Sequence, residues 1–313
     1  MNNKENNNCD ITIIILNYNS SDYTLNCVKS IYDVNSNNNF EIIIVDNNSK
    51  SDEYDKLNSL ISKSNIKIVR SKINLGFSGG NMFGFQFADK NSKYLFFLNN
   101  DCLLINDVIS ILYYFMEANT TASMCTAQMY SSEMEFRPSF TYIPSLSVKI
   151  FGHLAVRYFS PSKYPLRRKE YQNPLQVPVI TGSAMFIRAK HFIEIGGFDT
   201  NYFLYSEEED LGMRLSQNGL KTYLVPDAKF IHINGGSTNY NINVLKEFYI
   251  SLFYFYRKFY GFPKLFLLKV YFVIKNLRKF YKNMDFFKIG LFVLRGAPMK
   301  ESLRFKQKIN SEI

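Results

Sequence analysis

Cysteine and histidine are scarce in this chain of 313 residues, which has four cysteines and three histidines. The cysteines form no C-x-x-C pair and have no histidine near them in the sequence. This pattern argues against a zinc or disulfide framework and is typical of reduced thiols in a cytoplasmic protein. The first eight residues, MNNKENNN, lack the apolar core of a signal peptide, so we expect a frayed start and no secretion.

An uninterrupted apolar run of the roughly 18–20 residues needed to span a bilayer is also missing. Lys264, Lys269 and Lys275 interrupt the hydrophobic stretch near the C-terminus. The net charge of +10 is concentrated there, because residues 241–313 contain 15 Lys and Arg and only 4 Asp and Glu. Lysines alternating with large apolar residues predict interfacial helices on an anionic membrane. The alternative is a helical pair packed on the rest of the chain or on a partner subunit. Without a recognised binding motif, the charge does not indicate nucleic acid.

The first hundred residues alternate strand-like and helix-like segments. Four short runs rich in β-branched or aromatic residues predict buried strands at 11–16, 40–45, 66–70 and 94–98. Helices are expected between them, around 22–32 and 80–89 among others. Alternation at this spacing predicts an α/β fold with a doubly wound, mainly parallel sheet.

The second half of the chain predicts fewer regular elements. Residues 177–189 indicate one strand with a glycine inside it, and "SEEEDLGMRLSQNG" indicates a helix that ends at Gly219. The segments "KTYLV" and "KFIHI" that follow are expected to be two strands.

Polar clusters follow three of the predicted strands, at 17–19, 46–49 and 99–101. Ligands of doubly wound sheets bind beyond the carboxyl ends of the strands, so the clusters should open onto one crevice. Asp46 could accept from the imide N–H of a uracil or thymine base, or simply form an Asx turn. Asp101 suits Mg²⁺ or Mn²⁺ with a diphosphate completing the shell, or a turn. The glycines of "NLGFSGGNMFG" (74–84) indicate either a phosphate-binding turn before a helix or a tight loop.

Four consecutive acids stand at 207–210 in a chain with a positive net charge. Ser206 and Glu209 have the spacing of a capping box, and Asp210 can pair with Arg214 on the helix surface. These local roles leave Glu208 unexplained. His232, at the end of a predicted strand, could ligate a metal or be a hydrogen-bonded structural residue.

In this order, "ILNYNS", "IIIVDNNS", "NLGFSGGN", "FFLNND", "TGSAMFIR", "FLYSEEEDLGMR" and "HINGGS" resemble the motifs of family 2 glycosyltransferases. The similarity is greatest to bacterial rhamnosyltransferase-like members and implies a GT-A fold, which is Rossmann-like, over residues 1–240. A helical, membrane-associating tail at 241–313 would follow. The resemblance also implies a nucleotide-binding set: Asn17, Tyr18, Asn19, Asp46, Asn74, Gly76, Phe77, Gly80, Asn81 and Asn100.

The resemblance further implies that Glu208 is the catalytic base and that Asp101 and His232 bind Mg²⁺ or Mn²⁺. Asn99 replaces the first aspartate of a full D-x-D motif, which leaves one carboxylate for the metal, and Glu208 replaces the more usual aspartate. An inverting sugar transfer needs a carboxylate to accept the proton of the acceptor hydroxyl and positive charge at the departing diphosphate.

The expected donor is a dTDP- or UDP-sugar such as dTDP-rhamnose, and the expected acceptor is a lipid-linked glycan of O-antigen, lipopolysaccharide or capsule synthesis. We expect a peripheral protein on the cytoplasmic face of the membrane; the sequence leaves homo-oligomerisation open. Two alternatives remain at this point, a sugar nucleotidyltransferase and a non-catalytic membrane-bound scaffold. The first would need a glycine-rich, basic loop after the first strand, and "NYNSSDY" is not one.

Overall fold

The computed structural model describes residues 9–35, 39–233, 241–281 and 283–309. The predicted frayed start and the "NGGS" part of the last motif, at 234–237, lie outside these residues.

The described residues form twelve strands and nine α-helices. The strands are β1 (Ile11–Asn17), β2 (Phe40–Asp46), β3 (Ile66–Arg70), β4 (Tyr94–Asn99), β5 (Cys102–Leu104), β6 (Ala122–Tyr130), β7 (Phe136–Arg137), β8 (Phe140–Thr141), β9 (Leu175–Gln176), β10 (Val179–Ile180), β11 (Ala184–Arg188) and β12 (Lys221–His232). The helices are α1 (Ser21–Val34), α2 (Ser51–Lys56), α3 (Gly76–Phe85), α4 (Val108–Ala118), α5 (Leu146–Phe159), α6 (Ala189–Glu194), α7 (Glu207–Gln217), α8 (Ile242–Leu277) and α9 (Met284–Leu294). Short 3₁₀ turns cover Leu57–Leu60, Met299–Glu301 and Leu303–Lys306.

The central sheet has the strand order β3-β2-β1-β4-β11-β6-β12-β5, with β7 and β9 on its margin and β8 and β10 paired separately. Pairing is parallel from β3 to β4, as predicted. From β4 onward it is mixed, because β11 is antiparallel to both of its neighbours and β5 is antiparallel to β12. The predicted α/β fold is confirmed, with a mixed second half in place of a doubly wound sheet.

Alternate residues of the central strands enter two different cores. Ile13 and Ile15 of β1 pack into one cluster, while Ile14 packs into the other on the opposite face. Because side chains of a strand alternate between faces, an unbroken isoleucine run means that both faces are covered. The carboxyl edge of the sheet therefore remains as the place where polar residues can be exposed.

Three predicted elements differ from the structure. The helix expected at 80–89 begins at Gly76, so most of the glycine-rich stretch is helical. The strand expected at 177–189 is divided into β10 and β11. The two strands expected after α7 are one, because a bulge between Val225 and Lys229 accommodates Pro226, which cannot donate to a regular ladder.

The C-terminal helices pack on the rest of the molecule at one end and are exposed at the other. Gly261, with φ of +73°, breaks α8 into two segments, and Pro263 then suits the start of the second. Buried residues of the first segment, such as Phe253 and Tyr256, share a core with Tyr202. The second segment packs on α9. None of the helices within the described ranges combines the length and apolarity that crossing a membrane requires.

Candidate active site

The pairing of β5 with β12 brings Asp101 and His232 together. His232 is opposite Cys102 in the ladder, and the backbone N–H of Ile233 donates to the carbonyl of Asp101 at 3.0 Å. His232 Nε2 consequently lies 3.1 Å from Asp101 Oδ1, and both side chains are largely buried. Residues far apart in the sequence are thus fixed as a pair by backbone hydrogen bonds.

This pair has the donor set for a hard divalent cation. A third potential ligand atom beside the pair is the sulfur of Cys102, which lies within 4.8 Å of the ligand atoms of Asp101 and His232. Burial, followed by the charge of Asp101, raises the pKa of the Cys102 thiol, and its Sγ contacts the carbonyl of Ser183 at 3.4 Å. A protonated, soft sulfur is a poor ligand for Mg²⁺ or Mn²⁺, whereas a carboxylate and an imidazole fit Mn²⁺ with phosphate oxygens completing the shell.

A cavity of about 430 Å³ opens at the carboxyl edge of β1 and β4. Five of the predicted nucleotide-binding residues line it: Tyr18, Asn74, Gly76, Phe77 and Asn100. Asn47 and Asn99, which also line it, belong to the polar clusters that were expected to open onto one crevice. The remaining lining residues were not predicted as ligand contacts, and they are Leu16, Phe203, Leu204, Asn241, Val244, Leu303 and Gln307. The size and the mixture of aromatic and amide groups suit a small-molecule ligand.

Asn17 and Asp46, predicted to contact the nucleotide, are not among the residues that line the cavity. Both are completely buried. Asp46 accepts from Asn17 Nδ2 at 3.0 Å, from the backbone N–H of Ser49 at 3.2 Å and from Arg70 Nε at 3.0 Å. Both oxygens of Asp46 thus accept hydrogen bonds within the protein, one of them from the turn that follows β2, and its contact with a base stays a prediction.

Asn19, Gly80 and Asn81 are likewise absent from the pocket lining. Asn19 has φ of +49° and joins the turn after β1 to the turn after β2, because its side chain accepts from Lys50 N. A Cβ on Gly80 would lie 2.4 Å from Leu16 Cδ1, so glycine lets α3 approach β1. Asn81 Nδ2 donates to the carbonyl of Phe77.

Gly76 is the point at which two loops of the pocket meet. Its φ is +72°, and a Cβ there would lie 2.2 Å from the carbonyl oxygen of Phe203. The backbone N–H of Phe77 donates to that same carbonyl at 2.7 Å. Any side chain at position 76 would therefore displace the loop that leads into α7.

The acidic helix α7 begins after two residues in the left-handed conformation, Tyr205 (φ +73°) and Ser206 (φ +67°). Ser206 is the N-cap residue but makes no side-chain capping bond to the helix backbone, so the predicted capping box does not form as expected. Non-glycine residues in this conformation are uncommon, and they concentrate at functional sites. Here Tyr205 and Ser206 turn the chain between Leu204, which lines the cavity, and the acidic first turn of α7.

The four acids occupy different environments. Asp210 is structural, because it pairs with Arg214 at 2.6 Å, as predicted, and with Lys258 of α8 at 2.6 Å. Burial, and then the charges of Glu209 and Glu247, raises the pKa of Glu207 to about 8. Burial and the adjacent acids Glu209 and Glu207 also raise the pKa of Glu208 well above its usual range. A carboxylate with a raised pKa is better suited to accept a proton near neutral pH.

The C-terminal segment, which we define as residues 299–309 after α9, supplies one wall of the cavity through Leu303 and Gln307. Glu247 of α8 anchors this segment, accepting from Ser302 Oγ at 2.9 Å and from the backbone N–H of Leu303 at 2.8 Å. Further along, Asn48 Nδ2 donates to the carbonyl of Lys308. The segment carries no motif, and only the three-dimensional structure reveals its part in the pocket.

Residues 12–196 match the model of the family described as Glycosyl transferase family 2. The chain is similar to Rhamnosyltransferase WbbL of Escherichia coli (strain K12), with 25% identity over 71% of this chain and 83% of that protein. It is also similar to the N-acetylglucosaminyl-diphospho-decaprenol L-rhamnosyltransferase of Mycobacterium tuberculosis (strain ATCC 25618 / H37Rv), with 40% identity over 23% of this chain and 24% of that protein.

Two solved structures share the fold at low sequence identity. GalNAc-T7, solved with UDP, GalNAc and Mn²⁺, has a TM-score of 0.57 at 16% identity, covering 78% of this chain and 48% of its own. The mannosyltransferase PcManGT of Pyrobaculum calidifontis, solved with GDP-Man and Mn²⁺, has a TM-score of 0.55 at 12% identity, covering 80% and 63%. The chain thus spans about half to two thirds of these structures, and the likeness shows the GT-A fold.

Proposed function

The chain belongs to glycosyl transferase family 2, and we propose that it is an inverting, metal-dependent enzyme. It would transfer a sugar from a dTDP- or UDP-sugar to a lipid-linked glycan, and dTDP-rhamnose is the first donor to test. Family membership and the similarity to rhamnosyltransferases support a nucleotide-sugar donor and a glycan acceptor. The product would belong to O-antigen, lipopolysaccharide or capsule synthesis.

The pairing of Asp101 with His232, 3.1 Å apart, is the observation that carries the proposal. Asp101 directly follows Asn100, which lines the cavity, although neither Asp101 nor His232 is itself a lining residue. In the proposed complex, the donor lies in the cavity and its diphosphate extends to the pair. A bound Mg²⁺ or Mn²⁺ would supply positive charge to the departing diphosphate. Asn74, Gly76 and Phe77 shape the cavity beside it.

Glu208 is the proposed base. It is the second residue of α7, four positions after Leu204 of the cavity wall. Its carboxylate would accept the proton of the acceptor hydroxyl as that oxygen attacks the anomeric carbon and the nucleoside diphosphate leaves. Asp210 joins α7 to α8 through its ion pair with Lys258, and so fixes the orientation of the first turn of α7, which carries Glu208.

The C-terminal helices are the proposed membrane contact, at the cytoplasmic face. Large apolar residues of the second segment of α8 are exposed, including Phe262 at 74% and Ile274 at 52%, and lysines lie among them. Such a face suits the headgroup region of an anionic bilayer. The first segment of α8 is buried against the rest of the molecule, so it would hold the contact rigidly to the active site.

A donor panel tests the function. Purified full-length protein is mixed with dTDP-, UDP- and GDP-sugars, with and without Mn²⁺, and followed by thermal unfolding and by release of nucleoside diphosphate. We expect one dTDP- or UDP-sugar to raise the unfolding temperature only with the cation, and acceptor lipid to release the diphosphate. Turnover of a nucleoside triphosphate with a sugar phosphate, or no donor binding at all, would contradict the proposal.

A further inference from the structure

A cluster of cations lies between α5 and α7, outside the donor cavity. Residues 141–172 contain six lysines and arginines and one acidic residue. Three of the basic or imidazole groups surround Tyr142. The guanidinium of Arg167 lies 5.8 Å from the centre of its ring, and the His153 ring lies 5.1 Å away. Burial raises the pKa of Tyr142, and the charges of Arg167 and of Arg157, one helical turn beyond His153, oppose that rise.

These cations are not neutralised by local ion pairs. Within the part of the chain that the structure describes, no ion pair involves Lys149, Arg157 or Arg167. Arg157 Nε is buried without a hydrogen-bond partner, and so is Glu209 Oε2. A buried donor that lacks a partner is costly, so an unpaired guanidinium N–H calls for an anionic acceptor.

The cluster adjoins the acidic start of α7. Burial raises the pKa of Glu209, and the charges of Lys149 and Arg167 oppose that rise. The cations therefore lie within electrostatic range of the acid next to Glu208, although they do not pair with it. An anion bound by them would be close to the proposed base.

The opposite side of α5 is apolar and exposed. Gly152, with φ of +81°, bends the helix, and Phe151, Leu154, Tyr158 and Phe159 around and beyond it are between 70% and 82% exposed. Exposed apolar residues concentrated on one short helix and flanked by cations are typical of a segment lying at a lipid interface.

We propose that Lys149, Arg157 and Arg167 bind the diphosphate of a lipid-linked acceptor, while the apolar side of α5 lies in the headgroup region of the membrane. This deepens the proposed function and rests on it. A lipid diphosphate lies at the depth of the headgroups, where cations beneath an interfacial helix would meet it. The sugar attached to that diphosphate would then extend toward Glu208.

Vesicle flotation tests the site. Phosphatidylcholine vesicles carry either undecaprenyl diphosphate or phosphatidylglycerol at equal total charge, and the partition of full-length protein is measured. We expect tighter binding to the diphosphate vesicles. In the double variant Lys149→Gln, Arg157→Gln, each lost cation should reduce the preference for diphosphate vesicles about fivefold. Lys190→Gln with Arg137→Gln is the matched control, because both residues are exposed cations on other elements.

Equal binding to the two anionic vesicles would overturn the inference, and so would a preference that the double variant retains. Arg157→Gln alone, a smaller change, should lose about fivefold if the double variant does not fold. Soluble pyrophosphate that binds as tightly as the vesicles would indicate a free phosphate ligand and also overturn it. Donor binding is measured separately: its absence with an intact preference refutes the proposed function alone, and its presence without a preference refutes this inference alone.

Discussion

Asp101 and His232 are neighbours because the short strand β5 pairs antiparallel with the end of β12. Their side-chain atoms are 3.1 Å apart, and the backbone contact between Ile233 and Asp101 at 3.0 Å fixes the spacing. The contact between Asp101 and His232 does not involve Asn99, which stands where a full D-x-D motif has its first aspartate. His232 comes from another strand, and we propose it as the second protein ligand of the cation.

Metal-dependent donor binding should be lost when either residue of this pair is changed. For wild-type protein with Mn²⁺ and a donor at about 100 times its Kd, we expect the unfolding temperature to rise by about 4 °C. Asp101→Asn or His232→Ala should abolish most of this rise, because each removes one of two protein ligands. Asp227→Asn, at an exposed position of β12, is the control. An undiminished Mn²⁺-dependent rise in either variant would show that the cation binds elsewhere.

Glu208→Gln should lower kcat for sugar transfer by about 10²–10⁴, the usual contribution of a general base. The amide is similar in size but cannot accept the proton, so donor binding should remain at the wild-type level. Initial rates with a saturating donor measure the effect. Glu194→Gln, at the end of α6 and exposed, should leave kcat unchanged. Near wild-type transfer by the Glu208 variant would remove this residue from the mechanism.

The free energy of unfolding should fall as the pH rises between about 4.5 and 8. Burial raises the pKa of Glu207 to about 8 in the folded protein, above its value in the unfolded chain. The native state therefore holds more protons in this interval, and one such group gives a slope of at most about 1.4 kcal/mol per pH unit. Urea unfolding at pH 5, 6.5 and 8 measures it. Glu207→Gln should flatten the profile and make the protein more stable than wild type at pH 8.

Donor affinity should depend on the anchoring of the C-terminal segment. Glu247→Gln weakens two hydrogen bonds to a buried carboxylate, each worth about 1.5–3 kcal/mol to a charged group, and should release Leu303 and Gln307 from the cavity wall. We expect a weaker Kd for the nucleotide, measured by calorimetry. Lys300→Ala, exposed in the same segment, is the matched control. Unchanged donor affinity after truncation at residue 302 would show that the segment is dispensable for binding.

The strands β1 to β4 were predicted within a residue or two because runs such as ITIIIL suit only a sheet that is buried on both faces. The less accurate predictions share one cause, which is that local signals were decided by tertiary contacts. Gly76 and Gly80 are characteristic of a loop in isolation, yet both lie in α3. Phe203 and Leu16 leave no room there for side chains, so tertiary packing accounts for the glycines. Pro226 indicates a strand end, and a bulge admits it.

In the candidate site, Asp101 was predicted as a metal ligand from its position at a predicted strand end, and the family resemblance implied that His232 is the second ligand. The structure places the two side chains together, and the metal site stays a prediction. Asp46 was predicted to contact the base because it ends a predicted strand, and the family resemblance implied a nucleotide contact for Asn17. Asp46 is completely buried and pairs with Arg70, a partnership that no local pattern reveals. The cavity wall at Leu303 could not be predicted, since only long-range packing brings it there.

The donor cavity joins residues near both extremes of the described chain, Leu16 of the first strand and Leu303 after the last helix. A polypeptide emerging from the ribosome would complete its central sheet long before this wall is synthesised. Nascent or prematurely terminated chains could therefore fold their sheet while holding only an unfinished donor site. The part of the wall formed by Leu303 would be added only after translation has passed α9.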